Sequence, residues 1–327
     1  MRDLLLSLIL VTSLPVAQGA TDAWAISSST QFAPASVEQG RRILGTADDF
    51  LRNLSPFDRS ARLRTNGPVT PEQFTEFVAG QILPWDANEL PRLQQVSAVI
   101  SNRLANWKLP LPPTVWLVKT TGDEEGDAAY TRGAAIVLPV SDTTKEPAEL
   151  ESILLHELFH VLSRQNPKLR DALYAQIGFL PCGPVELPTD YAARKLTNPD
   201  APIIEHQLKG RVGDRDIHVM PVLFSRESSY RAGDTRPFFA YLEFRLMEIA
   251  QMAGDWQVVL RAGQPVFNQP AEVGNFFEQI GRNTQYIIHP EEVLADNFVL
   301  LMQGKQDAPN AEIPTRMAET LREAAKP

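Results

Sequence analysis

Apolar residues in the first third of the chain recur every three or four positions, which predicts three amphipathic helices. Ile43, Leu44, Ala47, Phe50, Leu51 and Leu54 form the first stripe. Thr70-Pro71-Glu72-Gln73 reads as a cap and first turn leading into Phe74, Phe77, Val78 and Ile82. Leu93, Val96, Ile100, Leu104 and Trp107 form the third. The pattern changes at Pro110: Val115–Thr120 is strand-like, Thr121–Asp127 is a polar loop, and Ala129–Leu138 reads as one returning strand with Gly133 inside it. An apolar helix comes next. It should start near Pro147, with Glu149 and Glu151 suiting its positive end, and stop before Pro167, which pushes Asn166 out of helical geometry.

Beyond it, Asn166-Pro167 opens a further helix that Gly178 closes. Residues 179–280 are turn-rich, with apolar runs at Ile217–Phe224 and Phe238–Ile249. The second run partly alternates, which suggests a strand, with a helix as the alternative. Pro290–Met302 reads as helical and Pro314–Ala325 as a polar terminal helix. Residues 21–36, small and polar, read as a flexible lead-in, and no internal repeat is found.

The chain has 327 residues, 43% hydrophobic and 22% charged, enough for a globular domain with a sizeable core. A net charge of −9 argues against a nucleic-acid or anionic-membrane partner. The N-terminus reads as an export signal over residues 1–20. Arg2 precedes an apolar run from Leu4 to Ala17 that is too short to span a bilayer, and small residues follow it at Gly19 and Ala20. Cleavage after Gly19 or Ala20 would leave a secreted or periplasmic protein with no membrane segment, and an uncleaved anchor is the alternative. Cys182 is the only cysteine, so neither an intrachain disulfide nor a cysteine-rich zinc cluster can form. With no obvious base beside it, Cys182 reads as a buried or half-buried thiol.

The chemistry concentrates at His156-Glu157-Leu158-Phe159-His160. Four positions apart on a helix, the two imidazoles project from one face and can share a single zinc ion. Glu157 stands beside them to take a proton from an activated water. Glu157 is the only charge between Ser152 and Ser163, as expected of a helix buried beneath a cleft. The alternative is a core helix with two satisfied histidines.

Zinc held by two histidines needs a third ligand and an open position. The metzincin positions for a glycine and a third histidine are Ser163 and Asn166 here, which disfavours that group. Glu292 and Asp296 lie four apart on the predicted helix that follows His289-Pro290. Glu292 could ligate the metal while Asp296 accepts the second ring N–H of a ligating histidine. Glu291 is the competing ligand, but position 295, four residues on, is alanine. Tyr286 and His289 could each donate to the oxyanion of a tetrahedral intermediate, or be surface or capping residues. His206 and His218 have no ligand-like spacing and read as structural or exposed, and Met220 resembles a methionine turn only superficially.

His156, Glu157, His160, Glu292 and Asp296 together resemble the signature of the gluzincin zinc metallopeptidases, the group that includes the thermolysin-like enzymes. The resemblance covers about the central third of the chain, and it implies zinc bound by His156, His160 and Glu292, with Glu157 as general base. It also implies an α+β zincin-like fold: an active-site helix, a small sheet with an edge strand along the cleft, and a peptide or protein substrate. On this reading residues 37–327 are one catalytic domain. It has a helical part (37–108), strands and motif helix (110–165), a large insertion (about 179–280), a second ligand helix (290–303) and a tail (304–327). Residues 161–291 separate the two halves of the signature, more than compact members place there. Loop-closure entropy grows slowly enough with length to tolerate this. The expected function is an exported zinc endopeptidase. The alternatives are an inactive zincin-fold binding protein, its cleft covered by the insertion, or a zinc amidase acting on cell-wall peptides.

Overall fold

The motif helix is the centre of the molecule, and two sheets are arranged about it. A computed structural model describes residues 23–325, so the export signal at 1–20 lies outside the described residues. Among them, no helix is long and apolar enough to cross a membrane. The fold is α+β.

The first sheet contains β1 (Trp24–Ala25), β2 (Gln31–Pro34), β3 (Ile82–Leu83), β4 (Thr114–Thr120), β5 (Tyr130–Arg132) and β6 (Ala135–Pro139). Its order is β1-β2-β4-β6-β5, with β3 beside β4. Strands β2, β4 and β6 run parallel, while β1, β3 and β5 are antiparallel to their neighbours.

Two expectations are corrected here. Residues 21–36 are not a flexible lead-in, because the described part supplies β1 and β2 and buries Trp24, Ile26 and Phe32. Ala129–Leu138 is a hairpin rather than one strand. Gly133 takes φ +59°, which turns the chain so that β6 lies parallel to β4 and β5 becomes the free edge.

The helices before the motif are α1 (Val37–Leu44), α2 (Asp49–Asn53), α3 (Pro56–Arg62), α4 (Pro71–Gln81) and α5 (Glu89–Leu104). The Ile43–Leu54 stripe is therefore split, because Asp48 starts a new helix by accepting from the Leu51 N–H. Helix α3 had a legible signal in Ser55-Pro56-Phe57-Asp58, a capping box in which Ser55 and Asp58 satisfy each other's backbone N–H.

A short α6 (Val140–Thr143) leads to α7 (Pro147–Gln165), the motif helix, which has the expected bounds. Asn166 leaves helical geometry at φ −132° and ψ 71°, and α8 (Pro167–Ala175) follows at once. Leu150, Leu154, Leu158, Phe159 and Leu162 of α7 are fully buried in the core that joins both sheets. Gly178 has φ +83°, as a helix-ending glycine should.

The insertion is a second sheet. Strands β7 (Phe179–Pro181), β8 (His206–Val212), β9 (Arg215–Ser225), β10 (Leu242–Met252) and β11 (Asp255–Val258) pair antiparallel in the order β11-β10-β9-β8-β7. The alternating run is thus strand over most of its length, after a 3₁₀ turn at Phe238–Tyr241. Short helices α9 (Thr189–Ala193) and α10 (Phe276–Ile280) flank this sheet.

The chain closes with α11 (Pro290–Gln303), packed along α7, and α12 (Glu312–Ala324). Helix α12 is amphipathic rather than polar throughout, since Ile313, Met317 and Leu321 join the main core.

Candidate metal centre

Helices α7 and α11 bring the two halves of the sequence signature together. His156 Nε2 lies 3.1 Å from Glu292 Oε2, and His160 Nε2 lies 3.4 Å from the same oxygen. Ligands of one tetrahedral ion with bonds of 2.0–2.1 Å sit about 3.3 Å apart, so each histidine–carboxylate pair has the spacing such an ion needs, and all three residues offer atoms within 4.8 Å of one another. His160 Nε2 is buried with no hydrogen-bond partner, and an ion would supply one.

The other nitrogen of each ring is held by a different carboxylate. Asp296 Oδ1 sits 2.9 Å from His156 Nδ1, as expected, and Thr284 Oγ1 donates to the other Asp296 oxygen. Glu291, set aside as a ligand for want of an acid at position 295, has another place: Glu291 Oε1 lies 3.0 Å from His160 Nδ1. Ser163 Oγ donates to that oxygen at 2.6 Å, and the Tyr174 hydroxyl donates to Oε2. Adjacent glutamates on α11 thus divide the work, one facing the ion position and one fixing a ring from behind. Each Nδ1–H bonded to a carboxylate leaves the Nε2 lone pair for a cation.

The electrostatics favour positive charge here. Burial works against protonated His156, but the hydrogen bonds it donates to Asp296 and Glu292 outweigh it and push the imidazole up to about 10. His160 is raised as well: burial opposes charging, and Asp200 and Glu292 overcome it. Burial alone would raise Glu292, yet His160 and His156 hold it well below the usual carboxylate range. The carboxylates make the site favourable to positive charge, and a metal ion there would have to displace the protons they favour.

Glu157 is buried beside the two rings, and its Oε2 has no hydrogen-bond partner. Burial, and then Asp200, push its carboxyl up to about 8, with His160 and His156 pulling the other way.

Asp200 is a candidate site residue that sequence reading missed. One of its carboxylate oxygens falls within 4.8 Å of a Glu157 oxygen and a His160 nitrogen, a second grouping able to hold an ion. Because Glu291 occupies His160 Nδ1, only Nε2 remains, and both groupings cannot be filled together. Asn198, two residues earlier, donates to Glu292 Oε1 at 2.5 Å.

A cleft of about 660 Å³ opens over these residues. Ala128 and Ala129, at the start of the β5 edge, form one side, while Tyr286, Ile288, Phe239 and Leu242 contribute an apolar wall. The insertion thus lines the cleft instead of covering it. Tyr286 is 43% exposed, and its ring stacks on His156 at a centroid distance of 6.3 Å.

His289 takes the capping alternative rather than the oxyanion one. Its Nδ1 accepts from the Glu291 N–H as the cap of α11, and the side chain faces a separate chamber with Arg170, Tyr174 and His206. It does not line the cleft, so no oxyanion role follows from its position. His206 is buried against Asp171, His218 meets Gln207 and Trp256, and Met220 is a core residue of β9. Burial pushes the Cys182 thiol up to about 11, which suits a packing role.

The segment carrying Asn198 and Asp200 is anchored from beneath. Arg62 pairs with Asp58 at 2.5 Å and forks onto Glu125 at 2.6 and 2.9 Å, all three buried. Asp58 accepts the Thr197 N–H and hydroxyl, and Arg62 donates to the Thr197 carbonyl. Arg62→Met should therefore cost about 3–5 kcal/mol, because it strands two buried carboxylates.

Glu125→Gln should be mild and pH-revealing. Burial, partly offset by Arg62, pushes Glu125 from 4.5 up to about 7. Between those values the folded chain holds a proton that the unfolded chain releases. This group therefore adds stability as pH falls through about 7 and withdraws it as pH rises. Urea unfolding of wild type and Glu125→Gln from about pH 5 to about pH 8 reads the difference, and parallel stability curves would refute the assignment.

No protein-family model matches this chain, and no curated protein or solved structure matches it either.

Proposed function

We propose that this chain is an exported, zinc-dependent metallopeptidase of gluzincin type with a zincin-like catalytic domain. The observation that carries the proposal is the convergence of His156 Nε2 and His160 Nε2 on one Glu292 oxygen, each ring anchored from behind by its own carboxylate. His156, His160 and Glu292 would hold a zinc ion, which would supply a Lewis acid for a carbonyl and acidify a water near neutral pH.

The protein's own groups do the rest. Glu157 takes a proton from the water as it attacks the carbonyl carbon, then delivers it to the amine nitrogen as the C–N bond breaks. The products are a carboxylate and a free amine. Asp296 and Glu291 keep both imidazoles in the tautomer that faces the ion. Tyr286 lines the cleft beside His156, which supports assigning it as donor to the carbonyl oxygen. The half-buried backbone at Ala129, just ahead of β5, offers an extended substrate a place to pair.

The test is hydrolysis of a mixed peptide library by the full chain with its metal present, removed by phenanthroline, and restored with zinc. Activity should vanish with the metal and return with it. Undiminished hydrolysis after complete removal, verified by atomic emission, would end this reading.

A further inference from the structure

The edge strand beside the candidate metal site is closed at one end, and a carboxylate closes it. In the β5–β6 hairpin, Thr131 lies opposite Ile136, and its N–H points away from β6 to donate to Asp200 Oδ1 at 2.8 Å. The Thr131 hydroxyl donates to the same oxygen at 2.5 Å. Strand alternation continued one residue ahead of β5 turns the backbone groups of Ala129 outward. They have no backbone partner among the described residues, and Ala129 lines the cleft. A substrate can therefore pair at Ala129 but cannot extend to Thr131.

Asp200 is built to meet a ligand. Its side chain is 8% exposed; Oδ1 is engaged by Thr131 and lies 3.9 Å from the Arg164 guanidinium, while Oδ2 takes no hydrogen bond among the described residues. The side chain lines the cleft within 4.8 Å of Glu157 and His160 atoms. Glu157 Oε2 is likewise buried and unpartnered. A free carboxylate oxygen at the dead end of a cleft favours a cation and repels a carboxylate.

Strand direction leads to the same answer. A peptide pairing antiparallel to β5 runs towards its own N-terminus as β5 runs from Ala129 to Thr131. The blocked end is thus where the substrate's first residue stops. In an amino acid the α-nitrogen lies about 3 Å from its own carbonyl oxygen. That suits an Asp200 carboxylate within 4.8 Å of a His160 nitrogen.

We propose that Asp200 binds the free α-ammonium group of a peptide, so that the enzyme removes residues from the N-terminus rather than cutting within chains. A recess of about 40 Å³ shares Asp200 and Ala129 with the cleft; Leu196, Leu223 and Phe238 wall it together with Thr197 and Asn198. It leaves little room beyond the amine, so the substrate class is peptides with a free α-amine. The inference rests on the metallopeptidase reading and narrows it.

The experiment uses the zinc-loaded full chain, a short apolar peptide beginning with leucine, and its N-acetylated twin, with product masses followed over time. The free peptide should shorten one residue at a time from its amino end, and the acetylated twin should react roughly 30-fold or more slowly. Asp200→Asn, which keeps an acceptor for Thr131, should erase that preference without changing zinc content. Calorimetric binding of leucinamide against N-acetylleucinamide to wild type and Asp200→Asn gives the same comparison without turnover. Equal cleavage of both peptides at internal bonds would leave the metallopeptidase reading standing and overturn the role of Asp200. A preference that survives in Asp200→Asn would also overturn it. Cleavage of neither peptide would remove the parent reading and this inference with it.

Discussion

Glu157→Gln should retain its metal and lose about 10²- to 10⁴-fold in turnover, the range expected when a positioned general base is removed. Glutamine matches glutamate in size, so the buried pocket between the two imidazoles keeps its packing. Its amide cannot accept a proton from water or pass one to the leaving amine. Glu157 takes no part in the convergence of His156, His160 and Glu292, so their geometry has no reason to change. The residue is 4% exposed and its Oε2 has no hydrogen-bond partner, so the substitution breaks no hydrogen bond at that oxygen. Initial rates on the peptide library, set against zinc content by atomic emission, separate the two effects. Full turnover in this variant would remove Glu157 from the chemistry. A parallel fall in zinc and turnover would mean that it holds the metal.

The part of the site legible in the sequence is the part fixed by local geometry. His156 and His160 meet because they are four apart on a helix whose ends Pro147 and Pro167 mark, and Glu292 and Asp296 share a face by the same spacing. Glu291 and Asp200 were not legible, because what gives them meaning comes from other elements. Glu291 was judged by the alanine four residues on, whereas its partners Ser163 and Tyr174 lie on α7 and α8. Asp200 lies in a proline-flanked segment that looks like loop, and its importance comes from Thr131 and from the Arg62 network beneath it.

The same contrast holds for the fold. Long helices carry enough turns for their period to show, as at Leu93–Leu104. Strands of two and four residues, such as β1 and β2, carry almost none, and the serines and threonines around Trp24 and Phe32 masked two buried aromatics. At Gly133 a single left-handed residue decided between one strand and a hairpin, and with it the direction of β6 and the identity of the edge.

Glu292→Ala should abolish stoichiometric zinc binding, whereas Glu291→Gln and Asp296→Asn should each weaken it about 10- to 100-fold, the range typical of groups that orient a ligand. The difference follows from position. Glu292 Oε2 is the one oxygen near both His156 Nε2 and His160 Nε2, so its loss leaves two imidazoles and no anionic ligand. Glu291 and Asp296 touch only the far nitrogens, where a neutral amide still accepts the Nδ1–H but no longer raises the basicity of the ring. The neighbouring Asp200 grouping makes the experiment sharper, because it contains Glu157 and His160 but not Glu292. An ion held there would survive Glu292→Ala and be lost in Asp200→Asn. Zinc titrations of the three α11 variants and of Asp200→Asn, with circular dichroism to verify folding, distinguish these cases. Full zinc occupancy in Glu292→Ala would overturn the assignment of His156, His160 and Glu292 as the ligand set, and with it the gluzincin reading.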